Sequence, residues 1–367
     1  MSAGGGAALP TLSARAARDG RGMLPGIRIR WWGAEIPTAI AAAGNRLWVA
    51  NSLYAATGGN DGGAVTELSA STGAPIRVIS GRRYRLTDPE AIAADSGRVW
   101  VVNGNGGSVT ELDAGTGAPI RVISGRRYRF SDPWGIAVGG TSVWVADGDG
   151  GLLTEFSAGT GALIRVISGQ RYQLSGPAAI TAAGNRLWVT NPESNSVTEI
   201  NATTGALLRV FSAPRYQLST PAAVAASGNS VWVANSDYNG SAEVGARSGW
   251  VTEISATTGA LLGVSSAPLD WASEIAAGGA GVWVLTNDIP PKGGGMGPDG
   301  SVAELSATSG RLAWSVSSAP FGTSAPGGAI TAAGARVWVL GRDNFDARYW
   351  VAGLSAATGK LIRVIAS

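Results

Sequence analysis

One short motif recurs seven times along the chain and constrains its fold more than any other feature. It is an aliphatic residue followed by Trp-Val, and successive tryptophans are 52, 44, 44, 44, 51 and 55 residues apart. Blades of β-propellers repeat at roughly 40–50 residues, so this period is typical of a propeller. The seven tryptophans are Trp48, Trp100, Trp144, Trp188, Trp232, Trp283 and Trp338.

The second copy of the repeat shows the pattern of the unit. Four short segments with β-branched or alternating residues predict strands A to D, and glycine-rich turns separate them. A Thr-Gly or Ser-Gly pair follows strand C in every copy, where glycine provides the positive φ of a tight hairpin. The predicted strands are Glu90–Ala94, Arg98–Val102, Ser108–Ala114 and Pro119–Ser124.

A single four-stranded sheet cannot bury both of its faces, whereas seven sheets packed around an axis bury them against one another. We therefore predict an all-β fold, a seven-bladed β-propeller with four antiparallel strands per blade, over residues 27–367. The seven tryptophans are then blade-to-blade core. Residues 1–26 are rich in Gly, Ala and Arg, and we expect them to form a disordered leader.

Oppositely charged residues recur on strands C and D. Strand C carries a glutamate in six copies, and strand D carries an arginine in five. Neighbouring antiparallel strands place such residues opposite one another, which predicts cross-strand ion pairs on the outer edge of each blade. The glutamates are Glu67, Glu111, Glu155, Glu199, Glu253 and Glu304, and the arginines are Arg77, Arg121, Arg165, Arg209 and Arg363.

The segment before the first copy looks like an additional strand D. It reads Gly-Ile-Arg-Ile-Arg-Trp-Trp over Gly26–Trp32, yet the last copy already ends in its own strand D at Leu361–Ile365. The segment either adds a fifth, outer strand or competes with the C-terminal strand. We expect it to cover the outer edge, because an exposed apolar edge invites aggregation.

The composition excludes several chemistries. The chain has no cysteine and no histidine, which removes disulfides, thiol nucleophiles, Cys/His zinc sites and imidazole bases. A net charge of +3 is too small to indicate a nucleic-acid partner. No apolar run is long enough to predict a membrane span. The lack of a secretory signal favours a cytoplasmic location, or an extracytoplasmic one if the true start lies elsewhere.

Length variation within the repeat is confined to one face. The A–B and C–D turns keep one length, whereas the B–C and D–A connections vary, and these two share a face that we call the top face. The B–C connection is longer by eight residues in copy 1, by ten in copies 5 and 6 and by four in copy 7. These copies are contiguous around a closed ring, so the top face is the predicted binding surface. Its aromatic residues, either ligand contacts or loop anchors, are Tyr54, Tyr238, Trp250, Phe345, Tyr349 and Trp350.

The start of strand A lines the mouth of the central channel. Five of the seven residues there are small and uncharged, so Glu90 and Trp134 stand out. Glu90 is either a solvated acid or a ligand acceptor or base, and Trp134 either packs at the mouth or binds a ligand. Glu274, one residue further along its strand, is a third candidate that alternation directs away from the channel. The seven positions are Thr38, Glu90, Trp134, Ala178, Ala222, Ser273 and Gly328.

A polar residue follows the tryptophan by three positions in five copies. Such residues commonly bond the backbone of a turn, and the alternative is a polar ring that faces a ligand. One of them begins the run Asp147-Gly-Asp-Gly-Gly, which resembles part of a calcium loop but lacks the later ligands. We assign no cofactor, and a calcium or magnesium ion is the minor alternative. The five residues are Asn51, Asn103, Asp147, Asn191 and Asn235.

An Arg-Tyr pair recurs in the linkers after copies 1 to 4. Such a pair can bind anions or stack on planar groups. Alternatively, the tyrosine packs between blades and leaves the arginine in solvent. The pairs are Arg83-Tyr84, Arg127-Tyr128, Arg171-Tyr172 and Arg215-Tyr216.

The unit resembles the YVTN-type propeller repeats of bacteria. The segments Val224–Asn235 (Val-Ala-Ala-Ser-Gly-Asn-Ser-Val-Trp-Val-Ala-Asn) and Ser108–Gly117 carry the resemblance, and both are similar to the repeats of streptogramin (virginiamycin B) lyases. The resemblance covers about Pro37 to the C-terminus. Those lyases use a histidine and a magnesium ion at the top centre, and this chain has no histidine. Gluconolactonase-like propellers hold a metal with acidic and Asn residues, a role that Glu90 and the strand-end asparagines would take here.

Two functions of different classes follow. The first is a non-enzymatic module that binds a small molecule, a glycan or a protein on the top face. The second is a metal-assisted lyase or hydrolase with Glu90 as ligand or base and arginines as anion stabilisers. A purely structural role, such as assembly through Gly26–Trp32, is the remaining alternative.

Overall fold

The computed structural model describes residues 27–28, 35–53, 62–212, 214–236, 249–265, 269, 271–279, 281–287, 300–317, 328–342 and 349–366. Within them the chain forms seven antiparallel sheets arranged as a seven-bladed β-propeller, which confirms the predicted fold. The helical segments of the described chain are three 3-10 turns, Arg82–Tyr84, Gln170–Tyr172 and Pro192–Ser194. No helix among the described residues is long and apolar enough to cross a membrane.

Each blade uses four strands that are consecutive in the chain, and the first strands of neighbouring blades contact one another around the centre. The short strand β1 is Ile27–Arg28. Blade 1 contains β2 Glu35–Ala43, β3 Arg46–Leu53, β4 Ala64–Ser69 and β5 Pro75–Ser80; blade 2 contains β6 Pro89–Ala94, β7 Arg98–Asn103, β8 Ser108–Asp113 and β9 Pro119–Ser124; blade 3 contains β10 Pro133–Gly139, β11 Ser142–Asp147, β12 Leu152–Ser157 and β13 Leu163–Ile167; blade 4 contains β14 Ile180–Ala183, β15 Arg186–Asn191, β16 Ser196–Asn201 and β17 Leu207–Ser212. Blade 5 contains β18 Pro221–Ser227, β19 Ser230–Ser236, β20 Gly249–Ser255 and β21 Leu261–Val264; blade 6 contains β22 Trp271–Gly278, β23 Gly281–Asn287, β24 Ser301–Ser306 and β25 Leu312–Ser317; blade 7 contains β26 Ile330–Ala333, β27 Arg336–Arg342, β28 Tyr349–Ser355 and β29 Leu361–Ala366.

The motif tryptophans form the core between the blades. Each lies in the second strand of its blade, and all seven are at most 3% exposed. Trp48 of blade 1, for example, belongs to a cluster with Val99 and Leu112 of blade 2. The prediction that these tryptophans are blade-to-blade core is confirmed.

The ring closes between blade 7 and blade 1. Trp338 Nε1 donates a hydrogen bond to the carbonyl oxygen of Ala70 at 3.2 Å, and β26 contacts β2. The strand β1 pairs in parallel with β29, with Ile27 beside Ile365, and makes blade 7 five-stranded. The expected coverage of the outer edge is confirmed at Ile27–Arg28, and the rest of Gly26–Trp32 lies outside the described residues.

The predicted cross-strand ion pairs form in blades 1 to 4. The arginine Nε atoms lie 2.6 Å (Arg77–Glu67), 3.0 Å (Arg121–Glu111), 2.6 Å (Arg165–Glu155) and 3.5 Å (Arg209–Glu199) from the glutamate Oε2 atoms. The sequence suggested pairs on the outer edge, but these glutamates are at most 2% exposed. Arg46, Arg98 and Arg186, at the starts of β3, β7 and β15, hold the other carboxylate oxygen in blades 1, 2 and 4.

Candidate functional site

The B–C turns and the D–A linkers meet on the top face, as the repeat predicts. The backbone N–H of Gly104 donates to the carbonyl oxygen of Asp88 at 3.0 Å, and that of Gly148 donates to Asp132 at 3.1 Å. Each turn is thereby tied to the linker that precedes its own blade. The arc of longer connections, with Tyr54, Tyr238 and Phe345, lies outside the described residues.

The described aromatic residues of that arc anchor the chain. Trp350 and Tyr349 lie in β28 at 3% and 9% exposure, and Trp350 belongs to the core between blades 6 and 7. Trp250 is partly buried, and its Nε1 donates to the carbonyl oxygen of Gln217 at 2.7 Å. For these three residues the structure matches the anchoring alternative.

A β-bulge positions the residues at the channel mouth. The register between the first and second strands shifts by one residue near the start of the first strand in blades 1, 2, 3, 5 and 6. A bulged residue has no partner in the ladder, so its side chain is redirected relative to the regular alternation. The bulged residues are Thr38, Glu90, Trp134, Ala222 and Ser273.

Trp134 is the most exposed large apolar side chain at the mouth. It is 52% exposed, whereas the motif tryptophans are buried. Its indole ring lies over Gly148, where a β-carbon would stand 3.5 Å from the indole Cδ2 atom. The bulge at the start of β10 and the turn beneath the ring therefore hold an aromatic face toward solvent on a rigid strand.

Glu90 occupies the equivalent position in the neighbouring blade 2, and its inner strand β6 contacts β10. Its side chain lies over Gly104, where a β-carbon would stand only 2.9 Å from the Cγ atom of Glu90. Loss of water around the carboxyl group raises the pKa of Glu90, and the carboxylates of Asp88 and Asp132 raise it further. The mouth beside Trp134 therefore carries a negative potential.

Glu274 lies elsewhere in the ring and is not brought next to Glu90 by any described contact. It follows the bulged Ser273 and stands where the other blades carry only alanine or glycine, at Ala39, Ala91, Gly135, Ala179, Ala223 and Ala329. At the equivalent Gly135, a β-carbon would meet the next blade, 2.1 Å from the carbonyl oxygen of Ala178. Burial raises the pKa of Glu274 to about 7.

We expect Glu274→Gln to stabilise the protein above neutral pH. The folded-state pKa lies above the ordinary value near 4.5, so the folded chain binds the extra proton between these values and stability falls as the pH rises from about 4.5 through about 7. Glutamine removes this loss, which is worth roughly 1–3 kcal/mol at pH 8 for a partly exposed group. Urea unfolding at pH 5 and pH 8 measures it, with exposed Glu193→Gln as control. Equal gains at both pH values would contradict the raised pKa of the Glu274 carboxyl group.

The polar residues that follow the tryptophans lie inside their blades. Asn51, Asn103, Asp147, Asn191 and Asn235 are all 0% exposed. Asn103 Nδ2 donates to Ser108 Oγ at 3.2 Å and to Thr110 Oγ1 at 3.1 Å, and its Oδ1 accepts from the backbone N–H of Thr87 at 3.3 Å. These bonds join strands B and C to the linker, as the turn-bonding alternative expects.

Asp147 makes the same kind of contact to the backbone of its turn and linker. Its Oδ2 accepts from the backbone N–H groups of Ser131 (2.6 Å) and Asp132 (3.1 Å), and its Oδ1 accepts from Ser131 Oγ (2.6 Å) and from the N–H of Gly150 (2.8 Å). Four donors thus occupy the carboxylate. Among the described residues no group of three or more acidic side chains lies together.

The Arg-Tyr pairs sit between successive blades rather than in one pocket. The guanidinium carbons lie 4.7, 4.9, 4.7 and 5.4 Å from the tyrosine ring centroids for Arg83, Arg127, Arg171 and Arg215. Tyr128 and Tyr172 are buried and donate from their hydroxyl groups to Gly161 and Gly205 of the next blade at 2.7 and 3.1 Å. The tyrosines pack between blades, and the arginines stacked on them are exposed. The tyrosine hydroxyl groups, and with them the guanidinium groups of Arg127 and Arg171, lie beside C–D turns and not on the top face.

Solved structures show the same fold. The computationally designed Ika8 protein aligns with a TM-score of 0.59 at 18% identity and covers 90% of this chain and 87% of that chain. The WD40 repeats of RRP9 align at 0.56 with 14% identity over 73% and 77%, and hydrazine synthase of Kuenenia stuttgartiensis aligns at 0.55 with 16% identity over 70% and 73%. Identities this low define only the class, a seven-bladed β-propeller with WD40-like neighbours.

No protein-family model matches the sequence, and no curated protein matches it. The resemblance to YVTN-type repeats and to streptogramin lyases therefore stays a similarity of the repeat unit.

Proposed function

We propose that this propeller is a binding module that holds a partner on its top face, centred on Trp134. The exposed indole of Trp134 carries this proposal. The other large hydrophobic side chains exposed in the described chain are aliphatic and lie on the outermost strands, as Ile120 and Leu208 do. An aromatic ring held toward solvent at the channel mouth is what a binding surface needs.

The charges around Trp134 favour a cationic group at the centre of the partner. An indole face attracts cations, and the carboxylates of Glu90, Asp88 and Asp132 lie on the same side of the ring of blades. A protein segment with a lysine at its centre matches this arrangement. The WD40-like fold is compatible with such a protein partner.

We expect Trp134→Ala to weaken such binding roughly 5- to 30-fold, which corresponds to about 1–2 kcal/mol. Fluorescence anisotropy with a labelled peptide, one lysine between neutral polar residues, measures the change. Ile120→Ala removes exposed apolar surface from an outer strand and is the matched control. The same peptide with norleucine in place of lysine should bind as weakly to the wild type as the lysine peptide does to the variant. Equal affinity of Trp134→Ala and wild type would refute the proposal.

Glu90 favours a second candidate, a metal-assisted lyase or hydrolase. A carboxyl group with a raised pKa suits proton transfer near neutral pH. Among the residues that the structure describes, no three acidic side chains lie close enough together to hold a metal ion on their own. A thermal shift with calcium or magnesium that Glu90→Gln abolishes would favour this candidate over the binding module.

A further inference from the structure

The outer strand of blades 1 to 6 carries one position that faces the glutamate of the third strand. Arginine fills it in blades 1 to 4, as Arg77, Arg121, Arg165 and Arg209, and blade 6 has Trp314 opposite Glu304. In blade 5 the residue opposite Glu253 is Gly263. The backbone of Gly263 does not have a positive φ, and a β-carbon there would meet no atom within 4 Å. The local backbone therefore gives no reason for glycine.

The filled positions show how a guanidinium group is held between two blades. Arg165 Nε lies 2.6 Å from Glu155 Oε2, and its Nη2 donates to the carbonyl oxygen of Thr203 in the next blade at 2.9 Å. The aliphatic part passes close to Gly205, where a β-carbon would stand 2.8 Å from Cδ. Carboxylate, turn carbonyl and glycine together form a slot for an arginine side chain.

Blade 5 and blade 6 keep the same slot without the arginine. A cavity of about 280 Å³ lies there, lined by Trp232, Glu253, Gly263, Thr308 and Gly310. Thr308 and Gly310 take the places that Thr203 and Gly205 hold around Arg165. The rim residues Leu262 and Thr308 are exposed, so the cavity opens at the surface.

The carboxylate of Glu253 has no cationic partner in the described chain. Its Oε1 accepts a hydrogen bond from Ser230 Oγ at 2.6 Å, and none of the ion pairs formed by the described residues includes it. It is also partly exposed, whereas the paired glutamates are buried. A partly desolvated carboxylate beside a backbone carbonyl group and an aromatic side chain binds a guanidinium better than an ammonium. The planar guanidinium can donate to the carboxylate oxygen and to the carbonyl oxygen at the same time.

We propose that the slot between blades 5 and 6 receives an arginine side chain from a partner protein. The four filled slots are the template: an alkyl chain enters from the outer strand while its backbone stays outside. The site lies beside the C–D turns, away from Trp134 and the top face. A test of this site is therefore independent of a test of the proposed top-face module.

Binding of blocked amino acids to the full chain tests the slot. We expect N-acetyl-arginine N-methylamide to bind in calorimetry or ligand-observed NMR, and N-acetyl-lysine and N-acetyl-citrulline N-methylamides to bind at least tenfold more weakly. Free L-arginine, with its charged α-groups, should not bind more tightly than the blocked form. No binding of the blocked arginine, equal binding of lysine, or binding of free L-arginine alone would each overturn the proposal.

Substitutions at the slot test the proposal more stringently. Gly263→Arg supplies the missing side chain, so we expect a higher melting temperature and at least a tenfold loss of binding. Glu253→Gln should lose binding to a similar degree. Ala260→Arg is the matched control, because blades 6 and 7 carry Arg311 and Lys360 at that position, and it should bind like wild type. A folded Gly263→Arg protein that binds the blocked arginine with wild-type affinity would refute the site. Trp134→Ala should leave the binding of the blocked arginine unchanged.

Discussion

Replacing Trp144 by alanine is expected to destabilise the protein by roughly 3–5 kcal/mol, because the indole is fully buried between blades 3 and 4 and its removal leaves a cavity. The ring packs in one cluster with Tyr172, Leu187 and Ile200. Denaturant unfolding followed by far-UV circular dichroism measures the loss. The matched control is Trp134→Ala, which removes the same side chain from an exposed position. Equal losses for the two variants would contradict the assignment of core and surface tryptophans.

Replacing Arg121 by alanine is expected to cost roughly 3 kcal/mol at pH 7, since it leaves one oxygen of the buried Glu111 carboxylate without its cation. The variant also loses the bond from Arg121 Nη2 to the carbonyl oxygen of Gly159 in blade 3, 3.1 Å long. Arg98 still holds the other oxygen, so the fold should survive. Exposed Arg126→Ala, in the following linker, is the control for lost positive charge.

The pH dependence separates this ion pair from simple packing. Burial already raises the pKa of Glu111, while Arg121 and Arg98 lower it. Without Arg121 the folded-state pKa rises further above the unfolded value, so stability present at low pH is lost as the pH rises through the folded-state pKa. The cost of Arg121→Ala should therefore be smaller at pH 4 than at pH 8. A cost that is the same at both values would indicate lost packing alone.

Much of the architecture could be predicted because the repeat is nearly one-dimensional. Each copy contacts only its neighbours. The number of motif copies from Trp48 to Trp338 therefore predicts the number of blades, and the tryptophans themselves mark the core between the blades. Opposed charges on adjacent strands likewise predicted the pair of Glu111 and Arg121. Arg98, the second arginine bound to the Glu111 carboxylate, was missed. It is the first residue of strand B, and the sequence around it does not indicate in which direction its side chain points.

The candidate site was predicted less well, since it depends on register. The positions of Glu90 and Trp134 at the mouth were recognised, but the β-bulge that redirects them could not be derived from spacing, because the number of residues in the strand is unchanged. For the ring that includes Asn103 and Asp147, the sequence favoured a role in the turns and left a ligand-facing ring as the alternative until the hydrogen-bond partners were located. At the position of Gly263, the sequence shows only that the arginine found in five other copies is missing. The slot could be recognised only after the structure showed how the side chain of Arg165 lies between two blades.

The proposed top-face module depends on contact between the partner and Trp134, and 19F NMR observes this residue most directly. The protein can be labelled with 5-fluorotryptophan at its 14 tryptophans, and Trp134→Phe identifies one resonance. Titration with the lysine-centred peptide should shift that resonance and leave those of the buried motif tryptophans in place. If the peptide binds and the Trp134 resonance does not move, the partner lies elsewhere on the propeller and the top-face proposal is wrong.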